Sequence, residues 1–256
     1  MGRFSNLEFD EDERLGQPLE HAPVKDQKYY LGLAHRRFEQ GKFENALRFY
    51  SRALEFDAQL SDAWLGQVQA LLELDEPNEA RVWADKGLEQ FRNHAEMLAA
   101  KGVALARLGE LDQAMALSDA ALAEKGGNAF RWRARGEVLL AREDRNEDFC
   151  FGKAMAAAPG DWFEPLAIGR VYAFYGKDAP ALRYFEIAAA RQAESAFLWQ
   201  NFGGCLERLG MTARARKAYA SALAVDRECD GAKEGLVRLD SQGVITRIRK
   251  WFRRSN

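Results

Sequence analysis

Residues able to do chemistry are few in this 256-residue chain and lie far apart. Cys150, Cys205 and Cys229 form no CxxC pair and join no cluster with His21, His35 or His94, so neither a metal site nor a Cys–His nucleophile is indicated. An odd number of widely spaced cysteines is read as a set of reduced, mostly buried thiols. No nucleophile elbow, P-loop, HExxH or EF-hand loop is present, and the glycine pairs at Gly126 and Gly203 follow no strand that would make them phosphate cradles. The chain is therefore read as a non-enzyme with no cofactor and no metal. What remains is recognition by charge and by aromatic surface.

Charge is concentrated at the ends. The net charge is −2, with seven acids against three bases in residues 1–26 and five bases against one acid in residues 240–256. No global basic field exists to hold nucleic acid, which is not an expected partner. The acidic segment 1–26 is read as flexible. The basic tail 241–256 contains "VITRIRKWFRR", which as a helix puts Val244, Ile245, Ile248, Trp251 and Phe252 on one arc and Arg247, Lys250, Arg253 and Arg254 elsewhere. Such a helix suits three tasks: capping the last element, docking on an anionic membrane or nucleic acid, or meeting a protein partner. Ile245, Ile248, Lys250, Trp251, Phe252, Arg253 and Arg254 are its interaction candidates. No run approaches the length of a membrane span and the opening "MGRFSNLEFDEDER" has no apolar core, so cytoplasm is the expected compartment.

The elements that must position a binding surface are written as a repeat. Ala222 is preceded by Ala188, Ala154, Ala121, Gly87 and Ala53 at steps of 34, 34, 33, 34 and 34 residues. Ala215, Ala181, Ala114, Ala80 and Ala46 keep the same phase, as do Gly203, Gly169, Gly136, Gly102, Val68 and Ala34. Trp64, Trp132 and Trp199 share one position in alternate repeats. Each unit carries two apolar patterns of helical period split by a turn signal, as in "LGELDQA" and "LGMTARA". Small residues mark where helices approach closely, and large aromatics fill the adjacent hollows.

These columns resemble the tetratricopeptide repeat family, a 34-residue helix–turn–helix unit with the pattern W-x2-L-G-x2-Y followed by A-x3-F. The match runs through Trp199, Phe202, Gly203, Leu206, Ala215, Tyr219 and Ala222 in one unit, and through Tyr30, Leu33, Ala34, Phe43, Ala46, Tyr50 and Ala53 in the first. The resemblance implies an all-α, right-handed superhelical α-solenoid of the stand-alone bacterial type. Six units are expected at 27–60, 61–94, 95–128, 129–161, 162–195 and 196–229, closed by a capping helix over 230–240. The fourth unit departs from the pattern: it is one residue short, and Glu147 stands where the small alanine belongs. Its second helix is expected to pack less well than its neighbours.

The resemblance also implies a concave inner wall made by the first helix of each unit. Its groove candidates are Lys28, His35, Gln69, Phe130, Arg133, Glu137, Phe163, Arg170, Phe197 and Gln200, with Leu31, Asp62, Leu65, Glu96, Ala99, Val103 and Leu166 between them. Leu31, His35 and Gly66 stand where a carboxylate-clamp subclass has its polar gripping residues, so a clamp of that kind is not expected. Arg133 and Glu137 are one helical turn apart, with Arg170 in the matching place on the next unit; they are either a self-satisfied ion ladder or a recognition group. Phe130, Phe163 and Phe197 are either packing between units or a peptide-anchoring stripe. The leading expectation is a scaffold that holds an extended peptide or helix of a partner protein in its groove. The rival is a peripheral membrane assembly factor that docks through its tail.

Overall fold

The computed structural model describes residues 25–124 and 126–241. The acidic segment before residue 25 and the tail from residue 242, with all seven of its interaction candidates, lie outside the described residues. All regular structure among the described residues is helical, and no helix there is long and apolar enough to cross a membrane. The helices pair in order: α1 (Gln27–Glu39) with α2 (Phe43–Phe56), α3 (Ser61–Glu73) with α4 (Pro77–Gln90), and α5 (Ala95–Arg107) with α6 (Leu111–Ala123). Then come α7 (Ala129–Ala141) with α8 (Glu147–Ala157), α9 (Phe163–Phe174) with α10 (Asp178–Arg191), and α11 (Ala196–Arg208) with α12 (Thr212–Val225). A final helix, α13, runs from 230 to 241, the last described residue. The chain is an all-α helical-repeat solenoid.

Local chemistry sets the helix ends. Side chains of Asp26, His94, Asn128 and Ser195 accept the backbone N–H three residues on and cap α1, α5, α7 and α11. Inside each hairpin the first helix ends on a left-handed residue: Gly41, Asp75, Gly109, Glu143, Gly176 or Gly210. The N–H of the next residue, or of Lys42, Glu76, Glu110, Asp144, Lys177 and Met211 by name, closes back on a carbonyl five residues earlier at 2.8–3.0 Å. This turn starts the second helix without a side-chain cap. Asp75 and Glu143 hold the same left-handed turn with a Cβ present, where glycine would be unstrained.

The hairpins interlock ring against glycine. A Cβ on Gly203 would lie 2.6 Å from the Tyr219 ring and one on Gly169 would lie 2.8 Å from Phe185, and the Gly136–Phe151 approach is as close. In the second hairpin the sizes are exchanged, with Val68 on the first helix and Ala84 on the second. Ala46, Ala80, Ala114, Ala181 and Ala215 are all fully buried in their shared column. At that position in the fourth hairpin, Glu147 Oε2 is buried with no hydrogen-bond partner, α8 is the shortest helix with 11 residues, and Phe149 stands 63% exposed. On α13, Ala232 and Leu239 face inward and Gly235 meets Tyr219, while Arg238 reaches Glu207. Burial pushes the Cys205 thiol up to about 11, and Cys150 and Cys229 are likewise buried and raised.

Two substitutions test this packing. Gly203→Ala drives a methyl into the Tyr219 ring and is expected to cost about 1–3 kcal/mol in urea denaturation followed by circular dichroism. Glu147→Ala removes an uncompensated buried oxygen and is expected to gain about 1 kcal/mol and to slow amide exchange in α8. Faster exchange there would mean that Glu147 holds the hairpin together.

Candidate functional site

The groove candidates lie on the first helix of each hairpin, α1, α3, α5, α7, α9 and α11, and their surroundings change along the solenoid. At the N-terminal end Lys28 and His35 are exposed, with the His35 ring edge-on to Tyr50 at 5.6 Å. Further along, Gln69, Phe130, Arg133, Glu137 and Arg170 come together around a cavity of about 180 Å3, joined by Phe38, Glu73, Arg107 and Phe174. Gln200 lines a second hollow of about 410 Å3 with Asn201, Arg208, Glu234 and Arg238, and its Oε1 accepts from Cys229 Sγ at 3.2 Å. Arg170 and Phe174 belong to both, so the two hollows form one surface from α3 to α13.

The charges on this surface are paired across hairpins. Glu137 does not face Arg133; it accepts from Arg107 Nε at 2.7 Å, with side chains only 5% and 8% exposed. Arg107 also donates to the Leu72 carbonyl. Burial works against the Arg107 charge, but Glu137 outweighs it and raises the pKa above the usual guanidinium value. Arg133 turns instead to Glu164, with Nε and Oε1 3.3 Å apart but outside hydrogen-bond geometry. Burial pushes the Glu164 carboxyl up in spite of that arginine. Arg170 donates to Asn201 Oδ1 at 2.8 Å and pairs with Glu73 from the second hairpin. Burial opposes the Glu73 charge, yet Arg170, Arg107 and Arg133 together hold its carboxyl below the ordinary value.

The aromatic positions are largely covered by the chain itself. Phe130 lies under the Arg133 guanidinium at 5.4 Å. Phe163 meets Phe38 at 5.9 Å, and Phe197 meets Phe43 edge-on at 5.5 Å and is only 9% exposed. Arg170 stacks over both Phe43 and Phe197, at 5.5 and 4.8 Å. The solenoid thus curls until the α1–α2 turn rests on α9 and α11, and the wall at Phe163 and Phe197 is filled from within.

Glu73, Arg107 and Phe174 belong to the site but were not among the groove candidates. They stand one helical turn beyond Gln69, Val103 and Arg170, in the column Glu39, Glu73, Arg107, Ala141, Phe174 and Arg208. Extending the inner-wall positions by four residues would have found them. Phe174 is 47% exposed beneath Arg107, 4.4 Å away.

Comparison with known proteins agrees with this architecture. A tetratricopeptide repeat family model matches residues 37–104. No curated protein sequence matches the chain significantly. Among solved structures, a tetratricopeptide repeat protein from Parabacteroides merdae aligns with a TM-score of 0.53 at 20% identity over 83% of each chain. Yeast Tom70 aligns with a TM-score of 0.55 at 17% identity over 86% of this chain and 48% of its own. The APC/C hetero-tetramer Cut9–Hcn1 supplies a match with a TM-score of 0.51 at 15% identity, over 84% of this chain and 43% of that one. At such identities the likeness is one of fold. Residues 37–104 thus match the tetratricopeptide repeat family, and the structural neighbours share the helical-repeat fold over more than four-fifths of the chain.

Proposed function

We propose that this protein is a non-catalytic scaffold that holds a segment of a partner protein along its inner face. Tetratricopeptide repeat proteins in general mediate protein–protein interactions, and solenoids do so through extended curved surfaces. The observation that carries the reading here is the pair of adjoining hollows between Gln69 and Arg238, with the exposed Phe174 lining both and charged groups on either side. An exposed aromatic stacked with an arginine and ringed by polar groups is the kind of anchor on which interface energy concentrates. The partner segment would lie between the α3–α7 wall and α13, where the surface is not taken up by the first hairpin.

A photo-crosslinking phenylalanine derivative placed at Gln69 is expected to capture a partner from cells, whereas the same group at Lys217, exposed on α12, is not. Capture only at Lys217 would put the binding surface on the other side of the solenoid. Phe174→Ala is expected to weaken the captured complex about tenfold with the helical fold intact. The groove should also respond to acid. Because the folded Glu73 carboxyl sits below its ordinary value of 4.5, its contribution is complete above that pH and is lost as pH falls through the lowered value. Glu73→Gln is expected to lower the melting temperature at neutral pH, and the gap to the unmodified protein is expected to close below pH 4.5.

A further inference from the structure

The α1–α2 turn occupies a seat on α9 and α11 in the manner of a bound ligand. Gly41 adopts φ +74° and its Cα lies against the Phe197 ring, so that any Cβ there would overlap it. Phe38 and Phe43 flank this glycine and enter the seat from both sides, one against Phe163 and the other against Phe197, beneath the Arg170 guanidinium. Phe43 is 8% exposed and packs with the core of the last hairpins, whereas Ala34, Ala46, Tyr50, Ala53 and Ala63 form a separate core for the first. Withdrawing the turn therefore breaks a contact of rings and one arginine; Phe43 leaves only the core of the last hairpins, while Phe38 also packs against the first hairpin's own core.

A site filled by the chain's own segment describes the chemistry of what fits it. We infer that the seat formed by Phe163, Arg170 and Phe197 is a second docking point, for a partner presenting a tight turn with two aromatic rings on either side of a glycine. Such a partner competes with the α1–α2 turn for the seat. The inference rests on the reading of the inner face as a binding surface and adds the recognised feature. Tethering gives the internal turn a high effective concentration, so the seat is open in only a fraction of molecules and a competitor's apparent affinity falls by that fraction. The acceptor side is built for aromatic rings: Phe163 and Phe197 on one side and the Arg170 guanidinium on the other, which Glu73 and Asn201 hold in orientation.

The probe is a fluorescein-labelled, backbone-cyclised peptide of residues 37–44, followed by anisotropy on the full chain. Phe38→Ser combined with Phe43→Ser removes the internal anchors and leaves the acceptor residues untouched. Gly41→Val clears the same seat by steric clash, and circular dichroism reports the fold of each variant. Both are expected to bind the peptide at least about tenfold more tightly than the unmodified chain, as an unmasked seat requires. Adding Phe197→Ala is expected to abolish the gain. Equal affinity in cleared and uncleared proteins, or a gain that survives Phe197→Ala, overturns the inference. The Gln69 crosslink tests the groove by itself and the anisotropy tests the seat by itself, so either reading can fail while the other stands.

Discussion

The fold depends on how closely two helices of a hairpin can approach. Gly136, Gly169 and Gly203 each admit a whole aromatic ring from the second helix, and the fully buried alanine columns let the next contact form at the same depth. Dispersion falls steeply with separation, so a ring seated on glycine gains contacts that a bulkier pair would lose. Because nearly the same fit recurs in consecutive hairpins, each is turned against the last by a similar amount and the turns add. The curl brings together residues far apart in the chain, including Arg170 and Glu73, which are separated by 97 positions.

That closure creates an unusual electrostatic setting. Arg107 and Glu137 are taken almost wholly out of water, where desolvation consumes most of their attraction and the remaining gain is small. Their value is positional. A buried pair whose members also bond to the backbone, as Arg107 does to Leu72, tolerates few alternative arrangements and fixes the spacing of three hairpins. Glu73 is the focal group because it answers to three arginines at once. Pairs on the outer surface, such as Arg142 with a 97% exposed Asp112, are screened by water and carry little of this load.

The consequence is that part of the surface carrying the groove candidates is covered by the chain itself. Phe163 and Phe197 meet aromatic side chains of the first hairpin, while Gln69, Phe174 and the hollow before α13 remain open to solvent. Fold alone names no partner.

The sequence by itself determined the repeat, the hairpins and the contact columns. Each of these rests on short-range rules: period, turn chemistry and the size of residues a fixed number of places apart. The misfit of Glu147 was visible for the same reason, whereas the left-handed backbone at Asp75 and Glu143 was not, since neither is a glycine. The groove candidates came from the resemblance to a repeat family, and Glu73, Arg107 and Phe174 stand one helical turn beyond three of those positions. Tertiary structure alone decided who pairs with whom across that face. Arg133 and Glu137 look like mutual partners at one-turn spacing, yet each turns to another hairpin. Phe197 reads as an open anchor until the curl brings Phe43 over it. Those outcomes depend on small rotations summed over several hairpins, a quantity that no local pattern encodes.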